Sequence, residues 1–228
     1  MTTIKVKITF IEPILGSLPN DPDLMRRFIE AKNPDPTRIQ EEIDSVCSPD
    51  GVEEELERKT TVFAGSMEGK PYFVDYQVKG FLKEACKQVK RDTSKLSAKV
   101  KNYKQVIDGN VFVYASGIRP SAKGKGEWKK LYISDPHPIL TFERPLRAST
   151  AQGERISLAR SEMIEAGKTI TLDIVTLVDD IEPMIREWLD YGVYKGIGQF
   201  RNAGYGRFVW DEIDEDGEII GGNNEFVA

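Results

Sequence analysis

Patterns of strand, helix, strand, strand, helix and strand follow one another along this 228-residue chain and predict an α+β fold with a ferredoxin-like βαββαβ core. Three observations carry the prediction. Residues 4–10 alternate apolar and polar side chains as a half-buried strand does, residues 78–89 repeat apolar side chains at helical spacing, and both periods return in residues 169–189. Such a core is an antiparallel four-stranded sheet with both helices on one face. We therefore expect a single elaborated domain over residues 1–211.

The first predicted strand has an apolar face that runs from Ile4 to Phe10. Residues 20–60 follow it and contain twelve acidic and six basic side chains. Two helical patterns within this segment are separated by Pro34. The segment is therefore predicted to be an acidic helical insertion after the first strand.

Two short β-prone runs, at 60–63 and 71–74, flank a glycine-containing stretch with the composition of a hairpin turn. The first core helix is then predicted at 78–89 and the second core strand at 111–114. Residues 117–166 are rich in glycine and proline in their first half and in arginine in their second half. We expect them to form a β-hairpin insertion between the second and third core strands.

The third core strand is predicted at 169–177. Asp179 or Asp180 is expected to cap the second core helix, and Gly192 is expected to end it. The fourth strand is predicted at 205–211. Residues 212–228 carry six acidic side chains and no basic one, and are predicted to form an acidic tail that is partly disordered.

Residues 195–207, which we call the glycine loop, carry glycine at positions 196, 198, 204 and 206. One C-capping glycine suffices for an ordinary helix-to-strand connection. Additional glycines let another molecule approach main-chain N–H groups, and the loop also supplies Lys195, Arg201, Asn202 and Arg207. The composition therefore indicates a phosphate-binding loop. A glycine turn that only avoids steric strain is the alternative, and composition does not decide between them.

The charge of the chain is uneven, although its net value of −5 argues at first sight against a nucleic-acid partner. Residues 79–104 hold nine lysines and arginines against two acids. A local basic face attracts phosphate within about a Debye length, ~10 Å at 0.1 M salt. A solvated, lysine-rich helix and loop would have the same composition, and this alternative also remains open.

Three segments resemble the RAMP superfamily, the RRM-like RNA-binding proteins of CRISPR systems, and in particular the backbone subunits of type III effector complexes. The glycine loop is similar to the family's C-terminal glycine-rich signature. Residues 71–83 resemble the segment that leads into its first helix, where a Lys-Gly pair, here Lys79-Gly80, opens the helix. Residues 161–170 resemble the lead into its third strand. The resemblance covers roughly residues 60–210.

The resemblance implies a non-catalytic subunit that binds guide-like single-stranded RNA in a ribonucleoprotein complex or a homo-oligomeric filament, without a cofactor or a metal. It places six residues at the RNA, which are Lys79, Gly80, Gly196, Gly198, Gly204 and Gly206. Charge and position add eight further candidates, which are Lys83, Lys87, Arg144, Arg147, Lys195, Arg201, Asn202 and Arg207.

Two other functions stay open. A stand-alone, phage-encoded relative could act as an anti-CRISPR protein that caps or mimics an effector filament through its acidic segments. A ribonuclease could use the single histidine, His137, or Asp21 and Asp23, which lie near the position of the target-cleaving aspartate of type III backbone subunits. His137 lies between two prolines without an identifiable partner, and the two aspartates suit a helix cap and a turn. Binding is therefore favoured over catalysis.

The cysteines and the hydropathy of the chain argue against several other classes of protein. Cys47 and Cys86 stand alone in the sequence, so neither a disulfide framework nor a zinc site is predicted. No apolar run approaches the ~20 residues that span a bilayer, and the N-terminal residues alternate instead of forming a signal-peptide pattern. We therefore expect a cytoplasmic protein.

Overall fold

The computed structural model describes residues 1–21, 60–121, 126–150 and 153–224, and side chains between 146 and 157 are not described. Most of the predicted acidic insertion, including Asp23 and Cys47, therefore lies outside the described residues. The chain divides into two compact units. The first, which we call the sheet unit, comprises residues 1–14, 73–135 and 165–228, and the second, the hairpin unit, comprises residues 15–72 and 136–164.

The elements are numbered here in chain order. The strands are β1 (Thr2–Phe10), β2 (Ile14–Leu15), β3 (Leu18–Pro19), β4 (Thr60–Val62), β5 (Tyr72–Val74), β6 (Val111–Ala115), β7 (Lys130–Tyr132), β8 (Leu140–Thr150), β9 (Gly153–Ile164), β10 (Thr169–Thr176), β11 (Phe208–Ile213) and β12 (Ile219–Gly222). The α-helices are α1 (Asp75–Val89), α2 (Tyr103–Asn110) and α3 (Glu182–Asp190). Short 3-10 helices occur at Leu96–Lys99, Glu127–Lys129, Asp179–Ile181, Tyr191–Val193 and Arg201–Ala203.

The sheet unit contains a five-stranded antiparallel sheet in the order β12-β11-β1-β10-β6. The apolar face predicted for β1 is confirmed, because each of its alternate side chains from Ile4 to Phe10 is at most 2% exposed. Ile8 pairs with Ile170 of β10 on one side and with Trp210 of β11 on the other. β1 therefore lies inside the sheet, between β10 and β11, and its alternation buries one of its two faces.

The two predicted core helices are confirmed as α1 and α3, which pack against each other. α1 buries an apolar stripe from Val78 to Cys86, as the helical spacing predicts. The Phe81 ring of this stripe meets the Phe208 ring of β11 edge-on, with 5.0 Å between the ring centroids. α3 buries Trp188, whose ring nitrogen donates a hydrogen bond to the Ser97 hydroxyl at 2.8 Å. The molecule is thus an α+β protein, as predicted.

The ends of α3 differ from the prediction. Asp179 does not cap α3 but lies in the preceding 3-10 helix, where its carboxylate accepts hydrogen bonds from the N-terminal amine at 3.2 Å and from the Thr2 hydroxyl at 3.1 Å. Gly192 lies in the 3-10 helix that follows α3. It accommodates the Phe208 ring, because a Cβ at this position would lie 2.4 Å from a ring atom.

The acidic tail is more structured than its composition suggests. β12 pairs with β11, and a turn joins the two strands. In this turn the Asp214 carboxylate accepts hydrogen bonds from the amides of Asp216 at 3.0 Å and Glu218 at 2.9 Å. Residues 212–224 of the predicted tail therefore contain a turn and a strand, because an acidic side chain that accepts backbone hydrogen bonds fixes a turn.

The hairpin unit contains the expected β-hairpin, formed by β8 and β9 from the Leu140–Met163 pair to the Thr150–Gly153 pair. β9 continues into a sheet of order β2-β9-β4-β3. The predicted turn at 65–70 is also confirmed, because the Lys70 amide donates to the Gly65 carbonyl at 3.0 Å. The Glu162 carboxylate accepts hydrogen bonds from the Phe63 amide and the Ser66 hydroxyl and fixes this turn on β9.

Candidate functional site

The glycine loop closes at a neck where two of its glycines face each other. The Ile197 amide donates to the Gly206 carbonyl at 3.0 Å, and the Gly206 amide donates to the Pro13 carbonyl at 2.8 Å. A Cβ on Gly196 would lie 1.9 Å from the Gly206 backbone, and a Cβ on Gly206 would lie 1.9 Å from the Ile197 carbonyl oxygen. These two glycines are therefore needed for the loop to close on itself.

The tip of the glycine loop is the 3-10 helix Arg201–Ala203, flanked by two residues in the left-handed region, Phe200 (φ 54°) and Gly204 (φ 97°). The Ala203 amide donates to the Phe200 carbonyl at 3.0 Å, and the Gly204 amide donates to the Arg201 carbonyl at 3.1 Å. The amides at the neck and tip that make these bonds cannot also hold a phosphate. Gly198, the remaining glycine of the loop, is half-buried and has a left-handed backbone with φ 99°.

The aromatic ring of Tyr205, a type of side chain on which RNA bases can stack, itself stacks on a neighbour in the same loop. Its ring lies 5.6 Å from the Phe200 ring, centroid to centroid, with 24° between the ring planes. One face of Tyr205 is therefore already covered within the protein.

Two of the predicted loop cations are paired with a carboxylate of α1. Lys195 Nζ lies 2.9 Å from Glu84 Oε1, and a guanidinium nitrogen of Arg201 lies 2.5 Å from Glu84 Oε2. Lys195 Nζ also donates to the side-chain oxygen of Asn202 at 3.0 Å. Burial acts to raise the pKa of Glu84, but the hydrogen bonds and charges of Lys195 and Arg201 outweigh it and lower that pKa. We call these four residues the Glu84 cluster.

Arg207 is the predicted loop cation that has no ion-pair or hydrogen-bond partner for its side chain among the described residues. It is half-buried, and its Nε is enclosed without an acceptor. The guanidinium lies against Gly204, where a Cβ would come within 3.4 Å of the Arg207 Cζ. Leaving a buried donor unpaired costs about 1–3 kcal/mol, and more for a charged group. Arg207 is therefore a cation that lacks an anion.

A stripe on the outward side of α1 meets the glycine loop. Gly80, Glu84 and Lys87 follow one another at spacings of four and three residues, so they share one side of the helix. Gly80 and Lys87 are exposed, and no atom lies within 4 Å of a Cβ built on Gly80. Gly80 lies inside α1, which begins at Asp75, and does not open the helix as the resemblance implied. Gly80 and Lys87 thus flank the Glu84 cluster.

Lys79 and Lys83 lie on another side of α1 and share an acidic partner, Asp108 of α2. Lys83 Nζ lies 2.5 Å from Asp108 Oδ1, and Lys79 Nζ donates to the Asp108 carbonyl at 3.1 Å. The Lys79 ammonium also lies 4.9 Å from the centroid of the Phe112 ring. Burial lowers the pKa of Lys79, against the attraction of Asp108. Both lysines are therefore engaged within the protein.

Arg144 and Arg147 belong to the hairpin unit, where both lie on β8. Arg144 is half-buried and pairs in register with Ala159 of β9. Arg147 pairs in register with Ile156, and its side chain lies outside the described part of the structure. The structure thus brings together the predicted residues of the loop and of the α1 stripe within the sheet unit, and places these two arginines in the other unit.

Of the residues considered for catalysis, the structure describes His137 and Asp21 but not Asp23. His137 Nε2 lies 3.3 Å from the Gly69 carbonyl oxygen. Asp21 is the last residue of the first described range. Cys86 is buried, and this burial raises its pKa to about 11. In the described ranges, three or more His, Cys, Asp or Glu side chains do not gather as a metal ion requires, and no helix is both long and apolar enough to cross a membrane.

Glu84 is the residue of this site that the sequence interpretation missed. It is the single acidic residue between Lys79 and Lys90, and its spacing from Gly80 places it on the exposed side of the helix. A single carboxylate among lysines on an exposed helix side was the feature of the sequence that could have identified Glu84. Its two cationic partners are more than 100 residues away along the chain, so their meeting depends on how the loop folds back over α1.

The sheet, its helices and the glycine loop define an α+β protein with a basic loop held against a helix. The chain is similar to a chain of the Type III-B Cmr-beta complex bound to cognate target RNA, with a TM-score of 0.47, 13% sequence identity, and coverage of 91% of this chain and 57% of that chain. It is also similar to a chain of a CRISPR RNA-guided surveillance complex, with a TM-score of 0.38, 11% identity, and coverage of 92% of this chain and 67% of that chain.

The chain therefore spans little more than half the length of the first of these relatives. No protein-family model matches the sequence, and no curated protein matches it.

Proposed function

We propose that this protein is a non-catalytic, RNA-binding subunit of a CRISPR-like ribonucleoprotein, and that Arg207 of the glycine loop holds a phosphate of single-stranded RNA. The observation that carries the proposal is the half-buried Arg207 guanidinium, whose Nε has no acceptor among the described residues. Because Nε is enclosed, a phosphodiester would meet the terminal guanidinium nitrogens and supply the missing anion there, and arginine binds phosphate through charge-assisted hydrogen bonds.

The strand order of the sheet unit supports the ferredoxin-like interpretation of the fold. β11, β1, β10 and β6 are the predicted fourth, first, third and second core strands, and they lie side by side in that order with antiparallel neighbours. α1 precedes the second core strand and α3 precedes the fourth. We infer that these elements form a βαββαβ core, and that the hairpin unit comprises the insertion after its first strand and the second half of the insertion after its second strand.

Gly80 gives independent support to an external ligand beside the glycine loop. A glycine in a helix interior destabilises the helix by about 0.5–1 kcal/mol relative to alanine. No described atom lies close enough to Gly80 to exclude a Cβ. An RNA backbone that passes close to α1 at this point would give the glycine a function, and exposed Lys87 lies on the same stripe to meet it.

The test is the affinity of purified variants for a fluorescently labelled oligouridylate, measured by anisotropy. Arg207→Ala should weaken binding about 10-fold and reduce the slope of log K against log salt by about 1, because one phosphate contact is lost. Arg207→Lys should recover only part of the affinity, because an ammonium group lacks the planar set of donors.

Lys104→Ala is the matched control, because it removes one exposed cation of α2 outside the glycine loop. It should weaken binding less than 2-fold, as expected for a solvated charge. Equal losses in the two variants, or a wild-type protein that does not bind the RNA, would contradict the proposal.

A further inference from the structure

We propose that Glu84 is an internal anion that occupies a second phosphate subsite, formed by Lys195 and Arg201, until the backbone of an incoming RNA takes its place. This inference rests on the proposed RNA-binding function, because it assigns a means of regulation to the same loop. It changes the expected roles of the loop cations. The terminal guanidinium nitrogens of Arg207 are open to a phosphate in the free protein, whereas Lys195 and Arg201 become open only when Glu84 withdraws.

The geometry of the Glu84 cluster is that of an occupied anion site. Each carboxylate oxygen has its own cation, with Lys195 Nζ at 2.9 Å from one and an Arg201 nitrogen at 2.5 Å from the other. Two oxygens of a phosphodiester would engage the same two groups. Asn202 accepts a hydrogen bond from Lys195 Nζ and keeps that ammonium group at the subsite.

The cluster is accessible enough for exchange. The side chains of Glu84 and Lys195 are each 25% exposed, and that of Arg201 is 33% exposed. Partly exposed ion pairs have modest strength, because water competes for both charges. Open space at Gly80, one turn before Glu84 on the same stripe, gives an RNA strand access to this side of α1.

Charge explains why the exchange limits binding. With Glu84 in place, its carboxylate cancels one of the two positive charges in the cluster, and it repels an approaching phosphate. Withdrawal of the carboxylate leaves both cations without an anion. The affinity of the wild-type protein should therefore be lower than the number of loop cations suggests.

The first experiment compares wild-type protein and Glu84→Gln in the oligouridylate anisotropy assay at two salt concentrations. Glutamine keeps the size of the side chain and removes its charge. We expect about 10-fold tighter binding and a salt slope that is steeper by about 1, because one more cation is free to meet a phosphate. Glu165→Gln is the matched control, since it removes an exposed carboxylate elsewhere in the sheet unit and should tighten binding less than 2-fold.

The second experiment is a double-mutant cycle with Arg201→Gln. In the wild-type background this change should weaken binding less than 3-fold, because Arg201 already has an anion. In the Glu84→Gln background it should remove most of the gain in affinity. A purely structural role for Glu84 gives the opposite result, in which Glu84→Gln weakens binding because the loop loses its attachment to α1.

The inference is overturned if a folded Glu84→Gln protein, judged by its circular dichroism and melting temperature, binds the oligouridylate no more tightly than wild type does. If Glu84→Gln does not fold, the affinities of the single variants Arg201→Gln and Arg207→Gln for the oligouridylate decide. Equal losses of affinity overturn the inference. A clearly smaller loss for Arg201→Gln supports it. Failure of the proposed function has a separate signature, which is that Arg207→Ala binds RNA as well as wild type does.

Discussion

The glycine loop and the lysine-bearing side of α1 both pair their cations with an internal carboxylate, but the loop also holds a half-buried cation, Arg207, that has no partner among the described residues. On α1, Asp108 engages Lys79 and Lys83. In the loop, Glu84 engages two cations and Arg207 is left over, half-buried and with its Nε unpaired. The difference teaches that a count of basic residues overstates the charge available to a ligand.

The two cations of these regions without a carboxylate partner in the described structure, Lys87 and Arg207, also differ in their exposure to solvent. Lys87 of α1 is exposed, so water already satisfies its ammonium group. The Arg207 Nε is out of reach of water and has no acceptor in the described structure. A half-buried cation interacts more strongly with an anion at its open nitrogens than a solvated cation does, because less water screens the charges. Partial burial therefore makes Arg207 a stronger candidate than Lys87 for holding a phosphate.

The glycines of the same two regions also differ. Gly206 has φ +70° and its backbone lies against the Ile197 carbonyl, whereas Gly80 has a helical backbone and open space around it. The first glycine is required by the protein itself. Nothing in the described structure requires the second. Substitution by alanine should therefore destabilise the protein at Gly206 and stabilise it at Gly80.

The largest expected effect is that of Gly206→Ala on stability. A Cβ 1.9 Å from the Ile197 carbonyl oxygen forces the neck of the glycine loop open, and the left-handed backbone adds strain. We expect the free energy of unfolding in urea to fall by about 3 kcal/mol or more. Gly80→Ala, the matched control, should raise it by about 0.5–1 kcal/mol. A Gly206→Ala protein as stable as wild type would show that the neck is not closed as described.

A smaller effect is expected from the titration of Glu84. Its pKa is lowered in the folded protein, so its ionised form stabilises the fold above its ordinary pKa of 4.5, and this contribution is lost as the pH falls through the lowered value. Glu84→Gln should therefore reduce the free energy of unfolding by about 1 kcal/mol or less at neutral pH.

The difference between wild type and Glu84→Gln should shrink as the pH is lowered below 4.5, which urea unfolding at several pH values would measure. Asp108→Asn is the comparison for α1. Because the Asp108 side chain is 54% exposed, its ion pair with Lys83 should contribute little to stability. A pH-independent difference for Glu84→Gln would indicate lost packing and not a lost charge.

The smallest expected effect separates two lysines of α1 in the oligouridylate assay. Lys87→Ala should weaken binding by about 2–3-fold, because it removes an exposed cation beside the Glu84 cluster. Lys83→Ala should change the affinity by less than that, because Asp108 already neutralises Lys83. A larger loss of affinity for Lys83→Ala than for Lys87→Ala would indicate that the RNA binds on the side of α1 that faces α2 and not along the α1 stripe.

Short-range periodicity predicted the strands and helices well where one face of an element is buried. β1 and α1 are examples, since alternation and helical spacing of apolar residues follow directly from which side of the element meets the core. The same reasoning failed for α2, which contributes one fully buried side chain, Ile107, and thus gives little periodic signal. It also failed for β12, all four residues of which are exposed.

The candidate site was predictable in its composition but not in its pairings. The sequence identified the glycine loop and all of its cations, because glycine and arginine in one short stretch are visible without a fold. It did not show that Gly196 and Gly206 serve the closure of the loop, since that depends on a backbone contact across nine intervening residues. Nor did it show that the carboxylate of Glu84 faces the loop.

By itself, then, the sequence determined the α+β class, the apolar faces of β1, α1 and α3, and the stretch that carries the candidate site, because each depends on residues close together in the chain. Only the tertiary structure decided which charges remain available. Glu84 and Arg201 meet across more than 100 residues, and the Arg207 guanidinium lies against Gly204. The availability of a charge depends on its neighbours in space, and the folding of the chain selects those neighbours.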